Sequence, residues 1–121
     1  MILGVSGTRY PSISYNEFTS LLKEELINLS KVGSSEIEFC SGGAIGIDTY
    51  IRNYAIECKI PIKEFLPDYN KYGKPAPMIR NQQIVDYSDL VIAFPSKNSR
   101  GTRDTIRKAE RIGKLYKIIE I

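Results

Sequence analysis

The chain reads as a single α/β domain: a Rossmann-like three-layer fold of about five mostly parallel strands with helices on both faces. Three observations predict it. Short apolar runs alternate with amphipathic stretches at helical spacing along the whole chain. Glycine turns stand where two of those runs hand over to helices, at Gly42-Gly43 and at Gly101. The 121 residues, 42% hydrophobic and 26% charged, suit one substantial core without repeat or linker, so residues 1–121 are read as one domain.

Ile2 to Ser6 is short and apolar and predicts a central first strand, with residues 7–12 as a loop. Asn16 is the expected N-cap of a first helix, where Phe18, Leu22, Leu26 and Leu29 recur at helical spacing and Leu21 widens the stripe. Gly33 marks its exit. Glu36 to Cys40 predicts a second strand, which stops abruptly at Ser41 and turns through glycines into a second helix. That helix puts Ile47, Ile51, Tyr54, Ala55 and Cys58 on one face.

Pro61 follows, and Ile62 to Leu66 alternates as a third strand. Residues 67–77 form a long turn-rich loop carrying Tyr69 and Tyr72, and loops of this length inside a compact domain are often functional. Met78 to about Tyr87 predicts a helix, Asp89 to Phe94 a strongly apolar fourth strand, and Pro95 to Arg100 a polar loop. From Gly101, residues Thr105, Ile106, Ala109 and Ile112 give a last helix ended by Gly113. Tyr116 to Ile121 closes as a fifth strand.

Composition excludes several chemistries. There is no histidine, which removes Ser-His-Asp triads, Cys-His pairs and His-ligated metal sites together. No metal and no cofactor are expected. Cys40 and Cys58 lack a CxxC spacing and read as buried reduced thiols of a cytoplasmic protein. No apolar run approaches the roughly 18 residues that span a bilayer, and no export signal is visible, so no membrane partner is expected. A net charge of +3 does not demand nucleic acid as a partner.

Right-handed crossovers bring every strand-to-helix loop to one edge of a parallel sheet. Along that edge stand Ser6-Gly7-Thr8-Arg9, then Ser41-Gly42-Gly43-Ala44 with Asp48 beyond it, then Arg80-Asn81, then Pro95 and Ser99-Arg100-Gly101-Thr102. Two of these are glycine turns opening helices, whose free N–H groups and dipoles favour an anion. Three carry an arginine suited to phosphate. Tyr69 and Tyr72 could stack on a base. The bland alternative stays open for each: a glycine pair also serves a plain bend, and Asp48 could simply favour its helix dipole.

Ser41 to Asp48, Ile79-Arg80-Asn81, Asp89 to Phe94 and Ser99-Arg100-Gly101-Thr102 together resemble the SLOG superfamily. This Rossmann-like group includes the DNA-processing protein DprA and the LOG phosphoribohydrolases, and the likeness is strongest to small stand-alone YspA-like members. The resemblance implies a nucleotide-derived small molecule across the two turns, approached by Gly42, Gly43 and Ala44 through backbone, with phosphate at Gly101 and Thr102. It implies a homo-oligomer, with nucleic acid the less expected partner. Arg80 falls where LOG enzymes carry an arginine linked to cleavage, but their glutamate is replaced by Thr105, and the paired glycines after Pro95 are missing.

The expectation is therefore binding, as a sensor or sequestering protein, including a phage-type trap for nucleotide immune signals. The alternative is an N-glycosidic hydrolase of nucleoside monophosphates, with Asp48, Arg80 and Asp104 as catalytic candidates. A third reading tracks single-stranded DNA along Arg9, Arg80, Arg100 and Arg103.

Overall fold

A computed structural model describes residues 1–31 and 36–121. The elements follow the order β1 (Ile2–Gly7), α1 (Tyr15–Ser30), β2 (Glu38–Ser41), α2 (Ile47–Cys58), β3 (Ile62–Glu64), α3 (Tyr69–Tyr72), α4 (Ala76–Tyr87), β4 (Leu90–Phe94), α5 (Arg100–Arg111) and β5 (Leu115–Ile118). All strands pair in parallel, in the order β3-β2-β1-β4-β5. The chain thus winds outward one way from β1, then crosses back over it to β4. Clefts form at such a reversal, above the carboxyl ends of β1 and β4.

Side-chain alternation along the strands sorts the core into two layers. On one face Leu3, Val5, Phe39, Ile92 and Phe94 meet Phe18 and Leu22 of α1 and Ile47, Ile51 and Tyr54 of α2. Phe18 packs edge-on against Phe94, with ring centroids 4.9 Å apart. On the other face Val91 meets Val85 of α4 and Ala109 of α5. There Cys40 lies against Ser88, and burial raises its thiol to about 11, an inert structural position.

Several boundaries differ from the sequence reading, each for a local reason. Ser14, not Asn16, caps α1: its hydroxyl accepts from the Glu17 amide at 3.1 Å while the Glu17 carboxylate accepts from the Ser14 amide at 3.0 Å. The expected exit at Gly33 lies outside the described residues. The loop of residues 67–77 contains the one-turn α3, capped by Asp68. Helix α4 starts two residues early because Pro77 is tolerated in a first turn, where its missing N–H costs nothing. Cys58 is exposed rather than buried. The apolar stripe of α2 ends at Ala55, and residues 56–59 all face solvent.

Candidate functional site

The loops after β1, β2 and β4 and the start of α4 enclose a cleft of about 340 Å³ at the carboxyl edge of the sheet. Ser6, Gly7, Thr8 and Arg9 line it from β1, and Gly42, Ala44 and Asp48 from the first glycine turn. Arg80 and Asn81 enter from α4, and Ser99, Arg100, Gly101 and Thr102 from the start of α5. Four further lining residues were absent from the sequence reading: Tyr10, Pro77, Ile84 and Asn98. Tyr10, 78% exposed and three residues past Gly7 at the end of β1, is an aromatic at this mouth. The expected stacking pair is elsewhere. Tyr72 lines an adjoining depression beside β3 that shares Arg80 with the cleft. Tyr69, 57% exposed, lines neither, although it is near enough to Arg80 for their charges to interact.

Three expected residues stay outside the cleft. Ser41 is fully buried, and its carbonyl accepts from the Phe65 amide. The open side of Gly43 faces Leu66 and Glu64 instead. Pro95 uses its carbonyl to anchor Ile121. Asp104, offered as a catalytic carboxylate, is also absent from the lining. It accepts from Asn81 at 3.0 Å and from Lys108 at 2.8 Å through both oxygens. Burial pulls its pKa up, but those bonds and the nearby charges of Lys108 and Arg107 outweigh it and leave the carboxyl below its ordinary value. Thr105 is fully buried and donates to the Gly101 carbonyl, so its side chain does not reach the cleft.

The two glycine turns are not alike. In the first, the protein supplies its own anion. Asp48 Oδ2 accepts from the Ala44 amide at 3.1 Å, and the Ile47 amide donates to the Thr8 carbonyl at 3.1 Å. The remaining Asp48 oxygen, Oδ1, makes no hydrogen bond. Burial raises this carboxyl to about 6, against the pull of the Ala44 amide and the charge of Arg80.

The glycines of this first turn have structural reasons to be glycine. A Cβ on Gly42 would sit 2.5 Å from Arg80 Nη1. Gly46 has φ +84°, and a Cβ there would run into the Thr8 and Arg9 carbonyls.

The second turn is open. Ser99 is the N-cap of α5, yet its hydroxyl does not cap the helix; it accepts from the Ser96 amide at 2.8 Å. Ser96 Oγ in turn donates to Thr8 Oγ1 at 2.9 Å, which ties this loop to β1. The Arg100 amide reaches the Asn98 carbonyl, while the amides of Gly101 and Thr102 have no partner among the described residues. Gly101 itself has no heavy atom within 4 Å of a would-be Cβ and no unusual φ. Nothing in the protein requires glycine at that position.

Arg80 joins the two turns. It is only 8% exposed. Its Nη1 donates to the Gly42 carbonyl at 2.6 Å and to the Phe65 carbonyl at 3.4 Å, and its Nε donates to Asn81 Oδ1 at 3.0 Å. Asn81 passes the contact on through Nδ2 to the Gly101 carbonyl at 3.3 Å and to Asp104. Burial lowers the Arg80 pKa, with the Asp48 charge opposing and the Arg9 charge assisting.

No family profile matches the chain, and no curated protein does. Among solved structures it is similar to DNA processing protein A from Helicobacter pylori, described by its single-stranded DNA binding mode. That likeness has a TM-score of 0.70 and 22% identity over 98% of this chain. The chain spans 64% of the length of that protein. It is also similar to the structural-genomics target TM1055, a LOG-like fold, with a TM-score of 0.67 and 20% identity over 95% of this chain and 71% of that one. The fold is therefore DprA/LOG-like and Rossmann-type.

Proposed function

We propose that the cleft binds a phosphate-bearing, nucleotide-derived small molecule and holds it rather than cuts it, as a sensor or sequestering protein. We place the chain with the small YspA-like members of the SLOG superfamily, as a cytoplasmic homo-oligomer, on the order of its motifs. The observation that carries the binding reading is the start of α5. Two unpartnered first-turn amides sit in a cleft with three arginines, beside a glycine that the protein's own packing does not need. A ligand approaching the backbone at Gly101 supplies the missing reason.

Holding rather than cutting is supported by the carboxylates. Asp104 is neutralised by Lys108 and lies off the cleft, while Asp48 spends Oδ2 on the Ala44 amide and its unpartnered Oδ1 is buried, so neither presents an exposed oxygen to activate water. Isothermal titration with AMP, CMP, their deoxy forms and cyclic dinucleotides tests the binding. Gly101→Ala is expected to weaken any phosphate ligand at least tenfold without loss of folding. No binding by the native chain sinks the reading, and release of free base on long incubation restores the hydrolase.

A second reading has one observation in its favour. Arg100, Arg103, Arg107 and Arg111 recur at spacings of three and four along α5, which puts them on one side of the helix from the cleft outward. Such a stripe suits the backbone of single-stranded nucleic acid. Oligonucleotide binding that falls steeply with salt would favour it; no shift at low salt would remove it.

A further inference from the structure

The cleft presents more anion-receiving capacity than one phosphate uses. At the start of α5, the Gly101 and Thr102 amides with the neighbouring Arg100 can surround the oxygens of a single phosphoryl group. Arg9 and Arg80 then stand unused on the same cleft. Arg80 is more than nine-tenths buried, and its Nη2 makes no hydrogen bond among the described residues. Nor is that nitrogen sealed among the buried atoms without partners. It keeps some contact with solvent, and Arg80 borders both this cleft and the depression beside β3.

Arg9 is exposed and has neither a hydrogen bond nor an ion pair among the described residues. Some basic side chains elsewhere find acids, as Arg52 does with Glu64, Arg103 with Glu120, Lys108 with Asp104 and Lys117 with Glu25, but Arg9 stands unpaired at the cleft itself. Arg9 is also close enough to Arg80 for its charge to disfavour the second guanidinium. Asp48, the acid in the lining of this cleft, is bonded through Oδ2 to the Ala44 amide. Two like charges sharing a cleft, with no protein anion bonded between them, call for one from outside.

We infer that the ligand carries two adjacent phosphoryl groups, one at the Gly101-Thr102 amides and the second bridging Arg9 and Arg80. The inference rests on the binding reading above and adds the class of ligand: a nucleoside diphosphate or a diphosphate ester, in preference to a monophosphate. Two sources share this chemistry. In a free diphosphate the second group is terminal; in a diphosphate diester it is internal.

The test is titration of the native chain and Arg9→Gln with phosphate, pyrophosphate, AMP, ADP and ADP-ribose. Arg9 is exposed, so the variant is expected to fold. In the native chain ADP binds at least tenfold more tightly than AMP, and pyrophosphate more tightly than phosphate. In Arg9→Gln the ADP:AMP ratio falls to within about twofold of unity. Lys117→Gln, which removes a positive charge outside the cleft, keeps the native ratio.

ADP-ribose as tight as ADP supports an internal diphosphate, and ADP alone supports a terminal one. Equal affinity for AMP and ADP, or a ratio that survives in Arg9→Gln, overturns the inference while the binding reading stands. If no phosphate compound binds, both fall together.

Discussion

The starts of α2 and α5 look alike as sequence: each follows a short apolar strand through a segment that holds a hydroxyl residue and a glycine, Ser41-Gly42 in one and Ser99-Arg100-Gly101 in the other. As structures they are opposites. At α2 the Asp48 carboxylate takes the Ala44 amide, the Thr8 carbonyl takes the Ile47 amide, and the glycines make room for Arg80 and for neighbouring backbone. At α5 the capping residue turns away, two amides stay open, and the glycine makes room for nothing within the chain. A glycine-rich turn is an anion site only where the protein has not already furnished the anion.

The largest test of this contrast is a pair of alanines with opposite signs. Gly46→Ala forces a side chain into a positive-φ position against two carbonyls, and it is expected to cost about 3 kcal/mol or more, or to prevent folding. Urea denaturation measures it. A Gly46 variant as stable as the native chain would break the contrast at its α2 end.

Next in size is the pH dependence of the built-in anion. Asp48 rises from an ordinary 3.8 to about 6 in the folded state. The folded chain therefore holds more protons than the unfolded one between those values, and stability from this group falls as pH rises from about 4 to about 6. The swing is up to about 3 kcal/mol. Asp48→Asn retains an oxygen for the Ala44 amide but cannot titrate. The difference between the two stability curves should shrink toward acid and level off above pH 6 or so; parallel curves would show that the carboxylate is not buried as described.

Smallest in energy but sharpest in meaning is Gly101→Ala. Without a ligand it should stabilise the chain by roughly 0.5–1 kcal/mol, as glycine-to-alanine changes in helices do. Phosphate ligands should meanwhile bind at least tenfold more weakly. Thermal melting with and without nucleotide reads both effects in one experiment. A loss of stability in the absence of ligand would mean that Gly101 serves the fold after all.

The parallel sheet was legible because the period of apolar residues switches cleanly between strands and helices, and Asp89 to Phe94 can hardly be anything but a central strand. Exact ends were not, since they are set by caps. Asn16 is the cap expected from the apolar stripe, yet Ser14-Tyr15-Asn16-Glu17 has the S-x-x-E spacing of a capping box, and the Glu17 carboxylate closes on Ser14.

The convergence of the loops after β1, β2 and β4 followed from handedness alone. What single residues do there did not. Whether Asp48 meets ligand or its own turn depends on a hydrogen bond within one helical turn, and Asp104's loss to Lys108 depends on an i,i+4 contact that also occurs on ordinary surfaces. A tyrosine's side of a loop is likewise a matter of packing. Tyr69 and Tyr72 stand out in sequence because their loop is long, a feature Tyr10 lacks.

The hydrogen-bond chain from Gly42 through Arg80 and Asn81 to Gly101 bears on how tightly this cleft can bind. Three of the five guanidinium donors of Arg80 are engaged before any ligand arrives. A long side chain that must be immobilised by its ligand gives up roughly 0.5–1.5 kcal/mol of rotamer freedom in doing so. Arg80 loses that freedom when the chain folds, so its ligand meets a guanidinium already aimed. Arg9 and Arg100, exposed and without side-chain hydrogen bonds among the described residues, have no such head start. Dissociation should accordingly be fast at the outer arginines and slow at the inner one, with the complex leaving the cleft from its mouth inward.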